Sequence, residues 1–143
     1  MSDGSQPSEH IIDVQGLREI SLMSGNLKQV ALKRLEDGEI GVPAKVWSEF
    51  KEIYEDEADE IEPFVPNKIR ITKAHHVAAA RCADKMNSGF TLSPYDDNSN
   101  QYAAAISISQ PATVLTDKHT LPFYSDVDCA AEDVTEWVAS EAD

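Results

Sequence analysis

The chain has 143 residues, 41% of them apolar and 7% aromatic, and its 26 Asp and Glu against 12 Lys and Arg leave a net charge of −14. That length suits one domain, large enough to bury about two-thirds of its unfolded surface without disulfides or a structural metal. The acid excess excludes a simple basic nucleic-acid clamp, and no apolar run approaches the ~18 residues of a membrane span.

Residues 1–9 (MSDGSQPSE) are small and polar and read as a disordered tail, with 10–143 as a single domain. The first twenty residues lack the basic-then-apolar pattern of a secretory signal. His10 to Val14 is a short apolar run interrupted by Asp13, a buried first strand, after which Gly16 releases the chain into a loop. Leu27, Val30, Ala31 and Leu35 recur at helical spacing, so a helix is expected over 24–36, stopped by Asp37-Gly38. Residues 39–43 offer a very short strand. Pro43 then opens a helix with Val46, Phe50 and Ile53 on one stripe, running into an acidic block and ending before Pro63.

Lys68 to Thr72 alternates basic and apolar residues like a half-buried strand. Alanine-rich helices are expected over 73–86 and 99–109, with a loop over 90–98 between them. Ala112 to Thr116 is a β-branched strand ending at Asp117, a last short strand lies near Val127, and a frayed helix covers 134–139. Trp47 and Trp137 fall on helices as packing anchors. Cys82 and Cys129 have no CxxC partner, which fits reduced thiols in a cytoplasmic protein. Strands alternating with helices predict an α/β fold, a three-layer sandwich around a central parallel sheet of four or five strands.

Charge is unevenly spread. Residues 49–62 hold eight acids and one base, and 126–143 hold seven acids and no base, so these two windows carry the whole net charge. Between them, 66–88 carries Lys68, Arg70, Lys73, Arg81 and Lys85 against Asp84 alone. Such a surface admits a polyanion along one strip and offers acidic faces to a basic partner, or it is simply a solvated exterior.

In an open parallel sheet the functional crevice lies at the carboxyl ends of the strands, where Asp13 and Asp117 fall. Like charges placed there repel unless a divalent cation sits between them, and Mg²⁺ suits all-oxygen sites. Each Asp is equally a common turn former after a strand.

The order of these features resembles the PIN domain, the metal-dependent nuclease fold found in many toxins of toxin–antitoxin pairs. A strand ends in Asp13, a valine-proline turn (Val42-Pro43) precedes Glu49 by six residues, and an alanine-rich helix leads to ATVLTDKHTL. The resemblance spans about 11–127. It implies that Asp13, Glu49 and Asp117 occupy the first, second and fourth acidic positions. The third is Asn100, with Asp97 three residues earlier as a substitute ligand or, alternatively, a helix N-cap. Val14 stands where the family often has Thr or Ser, and Lys118 where many members place the fourth acid.

The resemblance further implies Mg²⁺ or Mn²⁺ held by Asp13, Glu49, Asp97 and Asp117, with Asp97 or Asn100 positioning a water that attacks single-stranded RNA. RNA backbone would run along Lys68, Arg70, Lys73 and Arg81. Glu49 is equally the opening of a solvated acidic face. A basic antitoxin-like protein and a homodimer are the partners implied, in the cytoplasm and away from membranes. The competing reading is a catalytically degenerate PIN-fold binding or regulatory module.

Overall fold

The computed structural model describes residues 10–65, 68–70, 72–75, 77–79, 99–109, 112–125 and 129–142, with backbone alone for 99–101, 109 and 142. Four strands form one parallel sheet: β1 (His10–Ile12), β2 (Ile40–Gly41), β3 (Thr113–Thr116) and β4 (Ala131–Asp133), in the order β2-β1-β3-β4. Ile11 faces Gly41 on one side and Val114 on the other, and Leu115 faces Glu132 across the β3–β4 ladder. Consecutive residues Ile11 and Ile12, and likewise Val114 and Leu115, are all fully buried. Side chains alternate faces along a strand, so both faces of the central sheet are covered. The fold is a mixed α/β architecture with helices flanking a parallel sheet, as the alternating pattern predicts.

Helix α1 (Val14–Leu22) fills the stretch expected to be a loop. Val14, Leu17 and Ile20 point inward with Gly16, and the glycine is there for space rather than for a turn. A Cβ built on Gly16 would lie 2.5 Å from the Leu115 carbonyl oxygen and 2.6 Å from Ile12 Cγ1. The missing side chain lets the first turn of α1 lie against β3.

Helix α2 (Gly25–Glu36) ends as its Asp37-Gly38 signal predicts, with Gly38 at φ 82°, a left-handed conformation that glycine adopts without strain. Helix α3 (Ala44–Ile53) starts behind Pro43 and buries Val46, Trp47, Glu49 and Phe50. The acidic block does not extend that helix. The chain breaks at Tyr54, and a separate α4 (Glu55–Ile61) begins with Glu55, Asp56 and Glu57 in its first turn, where carboxylates complement the helix dipole. A 3₁₀ turn over Glu62–Phe64 takes in Pro63.

Of the strand expected over 68–72, the described residues 68–70 and 72 show one bridge. Ile69 pairs in parallel with Pro43, donating to Val42 O and accepting from Ala44 N at 2.8 Å each. Residues 73–75 and 77–79 are helical. The remainder of the helix expected to Met86, the loop over 90–98, the 1–9 tail, Cys82 and Val127 lie outside the described residues.

Helix α5 (Ser99–Ser109) buries Ala103, Ala104 and Ile106, and α6 (Leu121–Ser125) is a short turn after β3. Among the described residues the last strand is Ala131–Asp133. Helix α7 (Val134–Ala142) is anchored, not frayed: Val134 and Val138 are fully buried, and its Trp137 ring lies 4.6 Å from His10 at the start of β1. One apolar cluster joins residues from the sheet and from each of α1 to α7, with Tyr124 the fully buried contribution of the short α6. Among the described residues, no helix is long and apolar enough to cross a membrane.

Candidate functional site

The strand order runs from β1 to β2 on one side and from β1 to β3 on the other, so β1 and β3 flank the point where ligands bind in doubly wound sheets. Asp13 closes β1 there. Its backbone amide still donates to Leu115 O (3.3 Å), extending the β1–β3 ladder by one bond, and its side chain caps α1 by accepting from the Gly16 amide at 2.7 Å. The second carboxylate oxygen, Oδ2, accepts from the Tyr124 hydroxyl at 2.6 Å. Both side chains are fully buried, 111 residues apart in sequence.

Burial pushes the Asp13 carboxyl up from its ordinary 3.8 to about 6, and the neighbouring charge of Asp117 adds to the rise. Thr116, Tyr124 and Gly16 work in the opposite direction, since their hydroxyl and amide dipoles favour the ionised form. Thr116 Oγ1 lowers the pKa by proximity and, among the described residues, forms no full hydrogen bond. The Tyr124 phenol is driven far above its usual range, first by burial and then by the charge of Asp13.

Asp117 follows Thr116 at the end of β3 and is half-buried. Its Oδ1 accepts from the Thr120 amide at 2.9 Å, shaping the turn over 118–120 that leads into α6 and so delivers Tyr124 back to Asp13. The sequence offered no sign of Tyr124. An aromatic in a five-residue helix reads as packing, and its partner is a tertiary one. Asp133 was also missed. It ends β4 at the same edge and caps α7, its Oδ1 accepting from Thr135 N (2.8 Å) and Glu136 N (3.2 Å). A pocket of about 390 Å³ beside it is lined by Leu121, Glu132, Asp133, Glu136, Trp137 and Ser140. Its acids suit cations and amines rather than phosphates.

The structure brings Asp13 and Asp117 to adjacent strand ends. Glu49 is buried on α3, 8% exposed, so the solvated part of the acidic block begins after it. Among the described residues, no three His, Cys, Asp or Glu side chains are grouped to hold a metal ion. Asn100 lies in the first turn of α5, and its side chain, with all of Asp97 and Arg81, lies outside the described residues.

Of the basic strip, Arg70 and Lys73 are exposed and Lys68 is half-buried, with its ammonium 5.2 Å from the centre of the Trp47 ring. The Ile69–Pro43 bridge lies just past the carboxyl end of β2. All four strands are parallel, so Lys68 and Arg70 lie towards the same end of the sheet as Asp13 and Asp117. Lys45, exposed at the start of α3, adds a further ammonium 5.9 Å from the Tyr102 ring.

The donor chemistry at Asp13 and Asp117 fits one hydrated divalent cation. Mg²⁺ commonly takes one or two carboxylates and completes its shell with water and substrate phosphates. A carboxylate offers about four lone-pair positions, of which Asp13 commits two to Gly16 and Tyr124. Burial, with the charge of Asp117 adding to it, raises the cost of ionising Asp13, and a cation at this edge relieves that cost. Compared with protein-family models and with curated proteins, the sequence matches none.

Proposed function

We propose that the β1/β3 edge is the cation-dependent centre of a PIN-type endoribonuclease acting on single-stranded RNA. The observation that carries this reading is the placement of Asp13 and Asp117 at the carboxyl ends of adjacent parallel strands, where the strand order reverses. Asp13 and Asp117 would hold Mg²⁺ or Mn²⁺, with Glu49, Asp97 and Asn100 as the further family positions. The bound cation supplies charge neutralisation at the scissile phosphate and acidifies water. The chain's own residues do the rest. Gly16 N fixes Asp13 Oδ1, and Thr120 N fixes Asp117 Oδ1. Lys68, Arg70, Lys73 and Lys45 give RNA phosphates a basic approach to an otherwise repulsive edge.

The test is calorimetric titration with Mn²⁺ and cleavage of a labelled single-stranded RNA, for wild type, Asp13→Asn and Asp117→Asn. The reading expects binding and cleavage in wild type and loss of both in either variant. A wild type that neither binds Mn²⁺ nor cuts RNA overturns it.

A second reading, a degenerate PIN-fold binding or regulatory module, is favoured by one observation: Asp13, Asp117 and Asp133 all cap the element that follows them, and Asp13 is covered as well. In either reading Glu52, Glu55, Asp56, Asp59 and Glu60 form an exposed face along α3 and α4 suited to a basic protein partner. The homodimer is tested by light scattering over a wide concentration range.

A further inference from the structure

Chemistry and access disagree at Asp13. Its carboxylate suits a cation, yet it has no exposed surface, and the group lying on Oδ2 is the Tyr124 hydroxyl. The Tyr124 ring is fully buried in the apolar cluster and its carbonyl accepts from the Cys129 amide at 3.0 Å, so the residue is held from its backbone as well as its ring. A phenylalanine would pack equally well in such a place. Burying a hydroxyl is costly unless it finds a partner, and among the described residues the partner here is Asp13. The segment that carries it is short. Asp117, the second acid of the edge, starts the turn that leads into α6, and α6 carries the tyrosine, so only the six residues 118–123 separate the second carboxylate from the group covering the first.

We propose that Tyr124 is a latch on this cation site. Its hydroxyl closes Asp13, and cation loading at the β1/β3 edge exchanges the phenol hydrogen bond on Oδ2 for the cation. The proposal rests on the cation-site reading given above and adds its regulation. The closed arrangement is the resting form, and the hydroxyl competes with the metal for one oxygen. Removing the hydroxyl removes the competitor and leaves the ring in the core.

The test uses the full chain and Mn²⁺ alone. Tyr124→Phe should bind Mn²⁺ about tenfold or more tightly than wild type, the scale of a hydrogen bond to a charged group. Asp13→Asn combined with Tyr124→Phe should lose that gain. Affinity within twofold of wild type, or weaker, overturns the latch, and weaker binding assigns the hydroxyl to positioning Asp13 instead. Wild type that binds while Tyr124→Phe changes nothing leaves the cation site standing and removes the latch alone. Silence in both proteins overturns the site and the latch together.

Should Tyr124→Phe not fold, wild type labelled at tyrosine Cζ decides the matter by carbon NMR under Mg²⁺ titration. The chain has four tyrosines, and replacing Tyr54, Tyr95 and Tyr102 in turn assigns the resonance of Tyr124. That resonance should move with the midpoint of calorimetric binding, and a stationary Tyr124 overturns the latch.

Discussion

Ionisation of Asp13 works against the fold, and the size of that effect follows from its surroundings. The carboxyl titrates near 6 in the folded chain, against 3.8 in an exposed setting. At 1.36 kcal/mol per pKa unit the difference is about 3 kcal/mol. The folded state holds the proton more tightly than the unfolded one, so this contribution is fully present below pH 3.8 and is lost as pH rises through 6. Asn at position 13 cannot titrate, keeps an oxygen for the Gly16 amide and is itself a good cap. Urea unfolding of wild type and Asp13→Asn, both in chelator, isolates the term because other carboxylates cancel in the difference. Between pH 4.5 and 7.5, wild type should lose about 2 kcal/mol relative to the variant. A difference that stays flat within about 0.5 kcal/mol, or moves the other way, refutes the placement of a desolvated carboxyl beside Tyr124 and Asp117.

Gly16→Ala forces a methyl group against the Leu115 carbonyl and should cost about 2–3 kcal/mol in chemical denaturation, far more than an exposed helical glycine would show. Phe50→Ala, at a fully buried site on α3, should cost about 3–5 kcal/mol by the same measurement. If RNA binds at the edge, Lys68→Ala with Arg70→Ala should lower affinity for single strands of any sequence. Filter binding across salt concentrations should show the slope of log K against log salt fall by about 1.4.

Local signals in the sequence carried a good part of this architecture. Ala112–Thr116 reads as a strand because it is β-branched and closed by an acid, and α5 occupies the predicted 99–109 because its start and its proline stop are both local. The neighbouring positions of Asp13 and Asp117 follow from strand ends in a parallel sheet. Gly16 misled because a glycine that makes room for a strand looks the same in sequence as one that makes a turn. β4 went unseen because Ala131, Glu132 and Asp133 have weak strand preference and are held by pairing with β3. The helix break at Tyr54 also escaped, since Glu55 to Glu57 form a good first turn only once the chain has restarted there. Tyr124 on Asp13 lies beyond any local pattern, being a contact across 111 residues.

The centre of the sheet also sets the order in which the molecule can assemble. His10 pairs with Thr113 and Ile12 with Leu115, so the middle ladder joins segments about a hundred residues apart. Closing so long a loop is paid in chain entropy before any contact rewards it, and folds dominated by such pairings form slowly. On the ribosome, β1 can pair with β2 once residue 41 has emerged, but its other edge stays open until β3 follows. Through that interval a strand with Ile11 and Ile12 side by side has an unpaired edge available to other chains, the exposure that makes aggregation a competitor of folding.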